Sequence, residues 1–344
     1  MKILNLLLVV LIATGAFIAG MYSPFNKTAD NEAIRKHELE YHSNATQPPA
    51  DIEERLVQEE QIPNDTIASS ETSASNITAP IASPTQAKET PKAATVKNTD
   101  DSNLELKSDY WGGGNPADVM KVLSSAKRIL DEAFQSDAKN KVWVYQNIPR
   151  GYPITLYEKG PNGEYKIELT STQRYWSNYA YQFSHEYCHV RTNYENPNPK
   201  SMWFEEVIGE MCSLYALRGM GEEWLVNPPY ENWRSYGSSL KQYADDIIRR
   251  PENQLPAGQD FAIWFANTLP ELEQNAQLRG KNSVIAQQLL PLFAANPELW
   301  DSLNYWNQWQ HDKNDDIWRS FSKWLQVVPA EYQKHVNLLI NKLR

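Results

Sequence analysis

All twelve tryptophans lie at or after Trp111, whereas residues 24–105 hold only Phe25 and Tyr41 as aromatics. A core can therefore form only in the C-terminal part of this 344-residue chain. Residues 23–105, crowded with Ser, Thr, Pro, Ala and acids, cannot bury enough apolar surface to offset the entropy of ordering them. That stretch reads as a disordered acidic linker and residues 106–344 as one domain. Residues 24–105 carry 7 Lys+Arg against 15 Asp+Glu, so the chain's net charge of −10 belongs mostly to the linker. The rest has no basic block, and nucleic acid is not an expected partner.

The first residues, "MKILNLLLVVLIATGAFIAG", place one lysine before an apolar run that ends in small residues. The run falls between the 7–15 residues of a signal-peptide core and the ~20 of a spanning helix. Residues 1–22 are thus read as a signal peptide or a retained N-terminal anchor. The domain is expected outside the cytoplasm, periplasmic or extracellular, and would touch the membrane only through residues 3–22. Disulfides are permitted there, and one bridge is open to Cys188 and Cys212. The alternative is that both are small buried hydrophobes.

"NPADVMKVLSSAKRILDEAF" predicts a helix starting near Pro116, with Val119, Val122, Leu123, Ala126, Ile129, Leu130 and Phe134 on one stripe. Gly112, Gly113 and Gly114 lack the spacing of a phosphate loop and read as a plain loop. Three strand-like pieces follow, "KVWVYQNI", "YPITLYEK" and "EYKIELTS", the last two joined by a hairpin signal, "KGPNGE". A helix is expected after Ser171 or Thr172 as N-cap, ending before "NYENPNPK". A second begins at "SMWFEEVIGE", and nearly everything from Glu222 onward reads as helical. The expected class is α+β, a small sheet first and a larger helical part after it. The tryptophans of "LWDSLNYWNQWQ" are expected in the core rather than in a groove.

Within the first of these helices stands "SHEYCH". At 100° per residue, His185 and His189 point only about 40° apart, so two imidazoles can reach one ion from one rigid helix. Glu186 is rotated by about 100° from His185, where a carboxylate can take a proton from a metal-bound water. Two histidines do not complete a zinc site. If the next helix packs antiparallel, Glu206 can be the third ligand, and Glu210, one turn on, can hold a histidine's other ring N–H. Glu205 points about 100° away and is expected in solvent or a salt bridge.

H-E-x-x-H on one helix and W-x-x-E-x-x-x-E on the next resemble the gluzincin class of zinc metallopeptidases, and particularly its aminopeptidase group. The resemblance covers about residues 140–250. It implies a zincin-like fold, Zn²⁺ held by His185, His189 and Glu206, Glu186 as general base and acid, and Glu210 behind a histidine. It also implies a peptide or protein substrate and a tyrosine from the helical part to stabilise the oxyanion, for which Tyr236 and Tyr243 stand in the right region. Two features depart from the group: there is no upstream G-x-M-E-N stretch, and Val207 stands where glycine is common. "EYKIELTS" is expected, by analogy with the class, as an edge strand that pairs with substrate. The expected function is an exported zinc-dependent metallopeptidase. The alternatives are a zinc-stapled envelope module that binds a partner without hydrolysis, and a hydrolase of cell-wall amides.

Overall fold

The computed structural model describes residues 103–344; the signal or anchor segment and nearly all of the linker lie outside the described residues. The elements that build the site are β1 (Leu104–Leu106), α1 (Pro116–Ala133), β2 (Val142–Gln146), β3 (Ile154–Leu156), β4 (Tyr165–Leu169), α2 (Trp176–Arg191) and α3 (Met202–Trp224). The class is α+β, with a four-stranded sheet and a mostly helical C-terminal part. No helix among the described residues is long and apolar enough to cross a membrane.

α1 begins where expected. The Asn115 side chain accepts from Ala117 N at 2.8 Å, and Pro116 occupies a position whose N–H would be unused. Its stripe is buried from Val119 to Phe134, apart from the partly exposed Ile129. The strands lie in the order β1-β2-β4-β3, with β1 and β4 parallel to β2 and β3 antiparallel to β4. The hairpin between β3 and β4 is thus present, but the edge assignment changes. β4 is paired on both sides, so it cannot take up a further strand; the edge beside the hairpin is β3. β1 itself, unread in the sequence, starts just ahead of the expected domain boundary.

α2 starts later than its sequence suggested, at Trp176 rather than after Ser171 or Thr172. The amides of Thr170 and Ser171 point instead at the Gln182 side chain, at 2.9 and 3.2 Å, and Gln173 takes a left-handed φ of 50° that no helix interior allows. From there to Arg191 every residue of α2 except Tyr181 and His189 is buried. A helix so nearly enclosed takes most of its polar partners from neighbouring elements, because unpaired groups are costly away from water.

α3 packs along α2, and the remaining helices close around this pair: α4 (Tyr236–Arg249), α5 (Phe261–Gln274), α6 (Arg279–Ala295), α7 (Glu298–Ser302), α8 (Ile317–Val327) and α9 (Ala330–Lys342). Trp300, Trp306 and Trp324 are buried, with the Trp306 ring 4.9 Å from that of Phe204 on α3. This aromatic cluster is core rather than the wall of a groove, as its helical spacing suggested.

The far end of α2 is fixed by a buried ionic network. Arg191, with 3% of its side chain exposed, donates to Asp131 Oδ1 at 2.9 Å, to Ser136 O at 2.8 Å and to Asn304 Oδ1 at 2.8 Å. Lys127 and Tyr187 donate to the same Asp131 carboxylate. The last turn of α2 is thereby tied at once to α1 and to the turn after α7.

Candidate metal centre

His185 and His189, one turn apart on α2, stack edge to face with ring centroids 5.0 Å apart. The facing turn of α3 brings Glu206 between them, with Oε2 3.3 Å from His185 Nε2 and Oε1 3.7 Å from His189 Nε2. These three side chains form a group that could hold a metal ion, one ligand atom from each lying within 4.8 Å of the others. His185 is buried, while His189 and Glu206 keep 14% and 13% of their side chains exposed.

The charges within the group reinforce each other. Burial alone would push His189 down, but the carboxylates of Glu205, Glu206 and Glu186 outweigh it and raise the imidazole to about 9. Burial would likewise push Glu206 up, yet His185, His189 and, farther off, Arg279 at the start of α6 hold it at about 2. Glu206 is therefore ready as an anion, whereas His189 must give up a proton before its Nε2 can coordinate.

The two other glutamates of "WFEEVIGE" do not sit as expected, and both are buried. Glu210 does not reach a histidine. Its Oε1 accepts from Ser283 on α6 at 2.9 Å, and its Oε2 accepts from Tyr181, whose hydroxyl burial and Glu210 push well above the ordinary range. Glu205 is buried rather than solvated, because the turn after α7 covers it. Trp306 Nε1 and Asn307 Nδ2 donate to its Oε1, and Thr192 Oγ1 donates to its Oε2 at 2.6 Å. From that seat Glu205 Oε2 faces His189 Nδ1 at 3.8 Å, a charge contact rather than a hydrogen bond. The carboxylate behind a histidine is thus Glu205. His185 Nδ1 is buried without a hydrogen-bond partner.

Glu186 leans toward the sheet, where Thr155 Oγ1 on β3 lies 3.0 Å from its Oε2 and 2.8 Å from its backbone oxygen. Tyr236 and Tyr243 lie elsewhere. The Tyr236 hydroxyl meets Ser177 at 3.2 Å, and the Tyr243 hydroxyl accepts from Asn178 at 3.2 Å. At 1.5 Å rise per residue, that first turn of α2 lies about 12 Å along the axis from His185. Both tyrosines hold helix α4 to α2 instead of reaching into the metal group. Cys188 and Cys212 are buried free thiols. Burial and the neighbouring Cys212 push the Cys188 thiol well above its ordinary range, as expected of small core residues.

One residue that carries the geometry was passed over in the sequence. Gly209 lies against the His185 ring, and a Cβ there would come within 2.7 Å of both Cε1 and Nε2. A glycine inside a helix costs about 1 kcal/mol against alanine, which is the signal that could have drawn notice. Gly209→Ala gains helix propensity but should push the His185 ring aside at an overpacking cost. Metal affinity is expected to fall by about 10–100-fold, read by titration against a chromogenic chelator.

Compared with family models, with curated proteins and with solved structures, the chain matches none.

Proposed function

We propose that this protein is a zinc-dependent peptidase of zincin type, in which Glu186 transfers the proton of the attacking water. The observation that carries the reading is the convergence of His185, His189 and Glu206, with Glu186 beside them on the same buried turn. Glu206 reaches His185 through Oε2 at 3.3 Å and His189 through Oε1 at 3.7 Å, and one ligand atom from each of the three residues lies within 4.8 Å of the others, so small side-chain shifts would bring them to the roughly 3.3–3.6 Å between ligands of one tetrahedral ion. Two imidazoles and one carboxylate are the donor set of a catalytic rather than a structural zinc.

Bound by these three residues, zinc would supply Lewis acidity and lower the pKa of a water toward ~7. The chain's own groups do the rest. The Glu205 carboxylate faces His189 Nδ1 as a charge contact, which favours the ring orientation that turns Nε2 toward the ion. Glu186 accepts the proton as the water attacks the scissile carbonyl, then passes it to the leaving amine. β3 offers its outer edge to an extended peptide, a role that falls to it because β4 is internal.

The full chain should take up one zinc ion, and an unstructured peptide should be cleaved only with zinc present. Because His189 is raised to about 9, it is charged at neutral pH and must be neutral to coordinate. Uptake at about pH 7.5 should then release close to one proton per ion from this residue, and the release should fade as the pH passes 9. Failure to bind zinc, or cleavage indifferent to chelation, would overturn the proposal.

A further inference from the structure

We infer that Thr155 is a positioning residue for Glu186, fixing the general base against the edge strand. The inference rests on the peptidase reading for its catalytic consequence but on geometry alone for the contact itself. β3 has only three residues, and of these Thr155 is the buried one, placed opposite Ile167 of β4 with its side chain turned to α2. Its hydroxyl reaches both the backbone oxygen and the carboxylate Oε2 of Glu186, at 2.8 and 3.0 Å. The neighbouring carbonyl of Leu156 accepts from Tyr194 OH at 2.6 Å, just beyond the end of α2. The strand is therefore held at two successive residues, by α2 through Thr155 and by the segment after α2 through Leu156, which restrains the hydroxyl that faces Glu186.

A glutamate has three rotatable bonds, and a base that wanders is a poor one, since proton transfer needs the acceptor within hydrogen-bond reach of the water. A short hydroxyl on a strand held at two neighbouring residues limits that freedom before substrate arrives. The backbone oxygen of Glu186 lies in a helix, where the amide four residues on already serves it. The carboxylate is the acceptor whose position depends on Thr155.

The test compares Thr155→Val, which keeps the shape and loses the hydroxyl, with Thr155→Ser, which keeps the hydroxyl, both in the full chain. In zinc-loaded protein the valine variant should lose about 10–100-fold in kcat with KM within about threefold, and serine should recover most of the loss. Zinc affinity should stay within about threefold of wild type in both, because no ligand is touched. A merely structural role would instead lower folded fraction, zinc affinity and KM together and would not be rescued by serine.

A second readout needs neither zinc nor turnover. The infrared carboxylate band of Glu186, identified in zinc-free protein as the band lost in Glu186→Gln, should shift in Thr155→Val and return in Thr155→Ser. An unmoved band in the valine variant would overturn the inference. Should valine prevent folding, Thr155→Ala carries the same measurement. If the wild type binds zinc yet cleaves no peptide, the peptidase reading falls, and the band still decides whether Thr155 holds Glu186.

Discussion

Replacing Glu186 with Gln should lower peptide turnover by about 10²–10⁴-fold while the protein keeps its zinc. The substitution is nearly isosteric. The new amide oxygen can still accept from Thr155, so the side chain keeps its place between β3 and the two histidines. What it loses is the capacity to take a proton, because an amide is not a base near neutrality. None of the three proposed ligands is altered, and metal analysis of the same preparation should return the wild-type stoichiometry. Full turnover in this variant would remove Glu186 from the chemistry and leave the metal group as a staple between two helices.

Arg191→Ala carries the largest expected effect on stability, about 3–5 kcal/mol, because it breaks a buried pair and leaves its partners in place. Asp131 would keep Lys127 and Tyr187, but Ser136 O and Asn304 Oδ1 would lose the guanidinium that joins them to α2. Burial already raises the Asp131 carboxyl despite the cations around it, so removing one of them leaves its charged form still less favoured. Urea unfolding should show the loss as a lower midpoint with an unchanged slope. A midpoint within the range of ordinary surface substitutions would mean that the network is relaxed by water and is not a fixture of the fold.

The site was legible where helical spacing alone decides and illegible where a distant segment does. His185 and His189 lie where an ideal helix period aligns them, and Glu206 meets them because α3 packs against α2 as the expected antiparallel pairing required. The roles of Glu205 and Glu210 could not be read that way, since an isolated helix does not say what covers each face. Glu205 is buried by Trp306 and Asn307, and Glu210 is held by Ser283, all remote in sequence. The strands were legible as segments from their alternation, but their order was not. A parallel β2–β4 pairing with β3 placed outside follows from how the sheet packs on α2, which no local pattern encodes. Tyr236 and Tyr243 share a helix face as expected, yet that face meets the first turn of α2, and spacing within one helix cannot fix its register against another. Thr155, one hydroxyl on a short strand, carries no mark in the sequence at all.

Glu205 has one more consequence, for the order in which the protein becomes competent. The groups that would hold an ion and move a proton are all made by residue 206, but the donors that seat Glu205 come from Trp306 and Asn307, a hundred residues later in synthesis. A nascent chain therefore carries His185, Glu186, His189 and Glu206 before Glu205 has its donors. The seat of Glu205 is thus supplied by the C-terminal third of the chain, and the surroundings of His189 are complete only once that part has folded back onto α3.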